Sequence, residues 1–242
     1  MMNPYKIDIL AFGIHPDDVE LSCSGTLAKH IALGKKVVIC DLTQGELGTR
    51  GNAITRLEEA ENAKNIVGVS FRENLKMEDI WAENSQANIL KMIEIIRKYQ
   101  PEIVLCNAKE DRHPDHHKGY EMAQRACFAS GLPKIETKIE DKTQQAWRPK
   151  VVYSYIQSNF LEPDFVVDIT DFMDKKLEAI MTFKSQFFNP NTDEPNTFIS
   201  DKSFIEMIKS QNLIFGKAIG VQYAEGFHTS RYIGVSDLFD LI

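Results

Sequence analysis

The sequence predicts an α/β protein: one domain, residues 1–242, with a mostly parallel sheet and helices on both of its faces. Three observations carry this. Short apolar runs alternate with segments of helical period through the first half of the chain. Proline, glycine and small polar residues mark the changes of period. Strand, helix, strand, helix in that rhythm is the pattern of βαβ units, whose parallel strands are covered on both sides.

The first predicted strand is Ile7–Ile14, and a helix follows over Val19–Leu33. Lys36–Leu42 is the second strand, Thr55–Val67 a helix and Val69–Phe71 a short third strand. In the helix Gln86–Tyr99, Ile89, Met92, Ile93 and Ile96 keep one face apolar at spacings of three and four. "KYQPEIVLC" ends that helix, breaks at Pro101 and opens a buried strand, Ile103–Cys106. A helix over Lys118–Ser130 is closed by Gly131 and Pro133. Thr137–Trp147 is polar and reads as a surface loop. Strands resume at Val151–Ile156 and Phe165–Asp168, and Thr170 or Asp171 caps a helix over Phe172–Phe183. Asn189–Asn196 ("NPNTDEPN") is a loop, and Ser203–Phe215 is helical. No repeat or linker divides this Rossmann-like arrangement.

Composition excludes several classes. A formal net charge of −7 argues against a nucleic-acid partner, which needs a concentrated basic face. The four cysteines show no CxxC spacing, and Cys40 and Cys106 sit inside apolar runs, a reduced, cytoplasmic pattern. "MMNPYKIDIL" lacks the basic start and long apolar stretch of a signal peptide, and no run is long enough to span a membrane. The expected location is therefore the cytoplasm. No GxGxxG follows the first strand, so dinucleotide binding is unsupported.

In a doubly wound sheet, ligands bind at the carboxyl ends of the strands, where strand order reverses. "HPDD" (His15 to Asp18) follows the first strand, and "KEDRHPDHHKG" (Lys109 to Gly119) follows the fourth. With strand order 3-2-1-4 these two loops flank one crevice. Four of the six histidines fall in them: His15, His113, His116 and His117. Imidazoles beside aspartates, without a basic patch, suit a divalent metal. A catalytic zinc takes three protein ligands and keeps one position open. HxxD supplies two, His15 and Asp18, with Pro16 stiffening the turn and Asp17 left free of the metal. The second block supplies a third and retains a spare histidine and aspartate. Singly, each motif has a plain explanation. HPDD reads as a helix start with Asp17 or Asp18 as N-cap and Glu20 in the first turn, and HPDHH as a solvated loop. Together, each after a buried strand, they favour a metal site.

These two motifs at this spacing resemble those of the PIG-L/LmbE-like zinc-dependent N-acetylglucosaminyl deacetylases. "TQGELGTRG", "TRLEEA", "PDFVVDIT", "KSQF" and "YAEGF" extend the likeness over nearly the whole chain and resemble the bacillithiol-biosynthesis branch, which deacetylates N-acetylglucosaminyl-malate. The resemblance implies that His15, Asp18 and His116 are metal ligands and that Asp17 is the general base. It makes His113 a second catalytic residue with Asp115 as its partner, and leaves His117 without a role. It also implies Zn2+ as cofactor, a small amino-sugar substrate and a homo-oligomeric assembly. Iron(II) suits the same two-histidine, one-carboxylate set. Zinc lowers the pKa of water towards ~7 and polarises an amide carbonyl. Asp17 then takes the water's proton. A protonated His113, made more basic by Asp115, stabilises the developing charge or protonates the amine.

Four further residues are candidate substrate contacts. Arg50, in a glycine-flanked loop after the second strand, suits bidentate recognition of a carboxylate; as a plain surface arginine it would only cap its loop. Glu46, in the same loop, offers acceptors to sugar hydroxyls. Arg112 either anchors substrate or pairs with Asp111. His228, in "EGFHTSRY" with Arg231, is a polar loop candidate. Cys23 and His30 read as packing or solvated residues of the first helix. The rival substrates are a chitooligosaccharide and a mycothiol-type conjugate, and the rival class is a non-catalytic sugar- or metal-binding protein, which would have no use for a base beside an open metal position.

Overall fold

Five parallel strands form the centre of the structure: β1 (Ile9–Gly13), β2 (Val37–Thr43), β3 (Phe71–Met77), β4 (Ile103–Cys106) and, after a short hairpin of β5 (Lys138–Ile139) with β6 (Lys142–Thr143), β7 (Val151–Tyr155). With β8 (Phe165–Asp168) and β9 (Ala224–Thr229) they make a seven-stranded sheet ordered β3-β2-β1-β4-β7-β9-β8. The computed structural model describes residues 3–241. The expected 3-2-1-4 order is present, so the loops after β1 and β4 are neighbours.

The strands are buried on both faces, which is why they read as continuous apolar runs. Leu10, Phe12, Val38, Cys40, Val104 and Cys106 point to one side and pack on α3 (Gln86–Tyr99) and α4 (Pro114–Ala129). Ile9, Ala11, Val37, Ile39 and Leu105 point to the other, beneath α1 (Asp18–Ala32), α2 (Ala53–Val67), α5 (Met173–Ile180) and α6 (Lys202–Ala218). Among the described residues no helix is long and apolar enough to cross a membrane.

The expected loop Thr137–Trp147 contains the β5–β6 hairpin, α5 begins at Met173 without a cap from Thr170 or Asp171, and three further elements differ from the sequence reading. β3 extends to Met77, six residues past the expected end at Phe71. It is an edge strand whose polar side chains are spent on ion pairs, as with Arg72 against Asp41 and Glu20. α4 starts at Pro114 rather than Lys118, because Pro114 takes the first helical position and His113 caps it. β9 is antiparallel between β7 and β8, a strand hidden by Glu225, Gly226 and His228. Glu225 is fully buried there and pairs with Lys176 Nζ of α5 at 2.6 Å. Its oxygens also accept the main-chain N–H groups of Gly25 (3.1 Å) and Thr26 (2.7 Å) in α1.

That ion pair ties α1, α5 and β9 together without access to water. Lys176→Met leaves Glu225 without its counter-charge, and a loss of about 3–5 kcal/mol is expected. The check is a lowered urea midpoint at unchanged slope; a midpoint equal to wild type would show the pair contributes nothing.

Candidate metal centre

The chain leaves β1 at Gly13 and must turn sharply to start α1, and the turn is made by His15, Pro16 and Asp17. Asp17 sits at the N-cap position with φ 118°, a left-handed conformation costly for a residue with a Cβ, and makes no capping hydrogen bond. Its carboxylate turns to the cavity instead and is held by Arg56 Nη2 at 3.0 Å; the same guanidinium donates to the carbonyl of Pro16. The simple helix-cap reading of HPDD is therefore not what the structure shows.

Asp18 is the buried hub. Its Oδ2 accepts from His15 N and from Asn107 Nδ2, both at 2.9 Å, and its Oδ1 accepts from Gln157 Nε2 at 3.0 Å. Asn107 and Gln157 stand just beyond β4 and β7, so three adjacent strand ends converge on one carboxylate. α4 comes close enough only because residue 119 is glycine: a Cβ there would lie 2.7 Å from Asn107 Oδ1.

His116 points Nε2 at Asp18 Oδ1, 3.1 Å away, while its Nδ1 lies 2.5 Å from Asp111 Oδ2. His15 places Nδ1 3.8 Å from Asp18 Oδ2, and its Nε2 lies 3.2 Å from Asp79 Oδ1 and 3.6 Å from Asp115 Oδ2. Donors sharing a tetrahedral zinc at about 2.1 Å sit about 3.4 Å apart. Asp18 meets His116 through Oδ1 at 3.1 Å and His15 through Oδ2 at 3.8 Å, while the groups whose donor atoms all lie within 4.8 Å of one another are His15–His113–His116 and His15–Asp79–Asp115. His113 stands beside them, its ring centroid 4.8 Å from that of His15 and 5.0 Å from that of His116. Its donor nitrogen, with those of His15 and His116, falls in a cluster within 4.8 Å.

Charge in the centre agrees. Burial lowers the pKa of His15, but Asp115, Asp79 and Asp18 outweigh it and push it up to about 10. Burial likewise opposes protonation of His116, yet Asp18 and Asp111 raise it to about 9. The carboxylates thus call for positive charge, which a dication supplies directly. Asp17 goes the other way: burial pushes it up to about 7, with Asp18 adding to the effect and Arg56 opposing it.

These groups line a cavity of about 340 Å³ that also exposes Arg50, Arg112 and the apolar Phe198 and Ile80. Arg50 is 3% exposed, with Nε unbonded and 3.5 Å from Glu194 Oε2. Arg112 stacks over Phe198, 4.3 Å from guanidinium carbon to ring centre.

The sequence model of the PIG-L family, described as GlcNAc-PI de-N-acetylase, matches residues 10–127. The diacetylchitobiose deacetylase of Thermococcus kodakarensis is 30% identical over 236 residues, covering 90% of this chain and 81% of its own. The chain belongs to the PIG-L deacetylase family. Among solved structures, the conserved protein TT1542 of Thermus thermophilus superposes with a TM-score of 0.84 at 31% identity, covering 95% of this chain and 98% of its own. The inhibitor-bound N,N'-diacetylchitobiose deacetylase of Pyrococcus horikoshii gives 0.77 at 25% identity, with 100% and 91% covered. This PIG-L chain is accordingly an enzyme acting on N-acetyl groups.

Four expected roles need correction or relocation. The Asp115 carboxylate does not hold His113: it faces His15 and Lys118, and only the main-chain N–H of Asp115 reaches His113 Nδ1, at 3.3 Å. His113 is not made basic either; burial and the charges of His15 and His116 lower it to about 4. Glu46 does not face the cavity, because its carboxylate takes the N–H groups of Gln44 and Asp79. His228 lies within β9 against Asp164, outside the cavity lining. Conversely, the motifs do not single out Asp79, Arg56, Asp111, Asn107 or Gln157. Asn107 and Gln157 carry a usable signal, a polar residue directly after an apolar run.

Elemental analysis of protein purified without chelator tests the centre. His15→Ala and His116→Ala are each expected to lose the bound divalent metal, and Asp17→Asn to keep it at wild-type stoichiometry.

Proposed function

We propose that this PIG-L enzyme hydrolyses the N-acetyl group of an N-acetylglucosaminyl conjugate with an acidic aglycone, N-acetylglucosaminyl-malate of bacillithiol biosynthesis. One observation carries the choice of aglycone: a buried arginine, Arg50, with Nε unbonded, on the wall of the cavity that contains the His15–Asp18–His116 centre. A buried guanidinium without a full partner favours a carboxylate ligand.

In this reading His15, Asp18 and His116 hold zinc, with iron(II) suited to the same donors. When bound, the metal supplies a Lewis acid for the amide carbonyl and acidifies water to a pKa of ~7. Asp17, free of any capping bond and held by Arg56, takes the proton of the attacking water. Asp17 then passes that proton to the nitrogen as the carbon–nitrogen bond breaks, and the free amine leaves with acetic acid, which ionises to acetate. His113 has Nδ1 occupied as an acceptor, so in its neutral form Nε2 carries the proton and donates to the oxygen on which charge grows. Arg50 and Arg112 bind the conjugate's carboxylates. A neutral disaccharide is the second reading, favoured by the 30% identity to a diacetylchitobiose deacetylase.

Acetate release from N-acetylglucosaminyl-malate, diacetylchitobiose and free N-acetylglucosamine separates the two. Preference for the malate conjugate is expected; equal kcat/KM on all three would remove the acidic aglycone. Arg50→Ala should raise KM for the malate conjugate about 10- to 100-fold, the loss of a charged hydrogen bond, and leave diacetylchitobiose turnover in place. Asp17→Asn should lower kcat about 10²- to 10⁴-fold; near-normal turnover would remove it as the base.

A further inference from the structure

Asp79 stands two residues beyond β3 and is 3% exposed. Both of its carboxylate oxygens and its main-chain N–H have partners. Oδ1 accepts from Ile80 N at 2.9 Å and lies 3.2 Å from His15 Nε2. Oδ2 accepts from Leu47 N at 3.1 Å, and the Asp79 N–H donates to Glu46 Oε1 at 2.9 Å. The carboxylate is thereby locked between the loops after β2 and β3 and cannot swing away from the imidazole.

We infer that Asp79 is the positioning residue that fixes which nitrogen of His15 binds the metal and that couples the metal to the loop bearing Arg50. The inference rests on the proposed metal centre. His15 Nε2 lies 3.2 Å from Asp79 Oδ1, which leaves Nδ1, the nitrogen facing Asp18, for the metal. Asp111 fixes His116 in the opposite sense, holding Nδ1 and freeing Nε2 for Asp18. Carboxylates that orient ligating imidazoles in this way strengthen metal affinity about 10- to 100-fold. Asp79 has a second consequence that Asp111 lacks. Its other oxygen holds the Leu47 amide, three residues before Arg50. A metal that pulls on His15 therefore stiffens that loop, and a ligand that orders the loop tightens the metal by the same factor.

Asp115 Oδ2 also approaches His15 Nε2, but at 3.6 Å against 3.2 Å for Asp79 Oδ1, and its other oxygen is taken by Lys118. The structure assigns the positioning role to Asp79 rather than to Asp115.

The test uses the full-length protein, stripped of metal and retitrated with zinc against a chromophoric chelator, together with hydrogen exchange at the Leu47 amide. Asp79→Asn is expected to weaken zinc binding about 10- to 100-fold, and Asp115→Asn by less. In wild type, zinc should slow exchange at Leu47; in Asp79→Asn it should not. Zinc affinity of Asp79→Asn within twofold of wild type, or Leu47 exchange in wild type indifferent to zinc, would overturn the inference while leaving the metal centre intact. A wild-type protein that binds no zinc overturns the metal reading itself, and the positioning role with it. Asp79→Glu keeps the charge but moves it, so failure to restore affinity there is expected, and full restoration would show that charge alone suffices.

Discussion

A carboxylate placed where water does not reach is costly unless hydrogen bonds and charge replace its hydration. Asp18 meets that demand with one donor from each of three places: the main chain after β1, Asn107 after β4 and Gln157 after β7. Those strands are consecutive neighbours in the sheet only in the observed order. A different pairing of β1 and β4 would strand the anion. The topology and the site are thus one constraint: the sheet brings the donors together, and the carboxylate favours the sheet in that order. Burial works to raise the Asp18 pKa, but the imidazoles of His116 and His15 outweigh it and hold the group well below the usual carboxylate range.

The helix that follows Asp17 and begins at Asp18 is anchored just as firmly by a second residue of the same turn. Glu20 is fully buried and pairs with Arg72 of β3, which also grips Asp41 of β2 through two nitrogens at 2.7 and 2.9 Å. A bidentate guanidinium fixes angle as well as distance. The start of α1 therefore cannot rotate about the Asp18 hub, and the direction of the Asp17 carboxylate is set from both sides. Rigid support of this sort matters where a base must sit within hydrogen-bond reach of a small nucleophile.

What the sequence makes legible and what it hides follow from how local each feature is. HPDD and HPDHH are contiguous, each follows an apolar run, and their shared crevice needs only the 3-2-1-4 order. Asp79 was invisible for a physical reason: "FRENLKM" is an edge strand whose polar side chains serve ion pairs, so the apolar signal ends at Phe71 and the strand end appears six residues too early. β9 hid in the same way, its Glu225 being buried only because Lys176, some fifty residues earlier, is buried with it. The direction in which Asp115 points depends on which side chain packs across from the first turn of α4, and spacing within one motif cannot encode it. The strained backbone of Asp17 depends on Arg56 and on the main chain of a turn whose ends are fixed elsewhere.

That strain bears on why the Asp17 carboxylate is uncapped. An aspartate in the N-cap position ordinarily spends its carboxylate on the N–H groups of the first turn, and a capped carboxylate is a weak base. With φ at 118° the side chain of Asp17 is directed away from those N–H groups and into the cavity, at a conformational cost of about 1–3 kcal/mol. Arg56 supplies one hydrogen bond in exchange, fewer than a cap would offer, and burial then raises the pKa of the group to about 7. The helix loses a cap and the cavity gains a carboxylate whose proton affinity lies near neutral. The same turn gives its other aspartate, Asp18, a nearly saturated set of donors, so two adjacent carboxylates are driven apart in basicity by the backbone geometry that aims them: one remains charged beside the imidazoles of His15 and His116, and the other holds a proton far more readily.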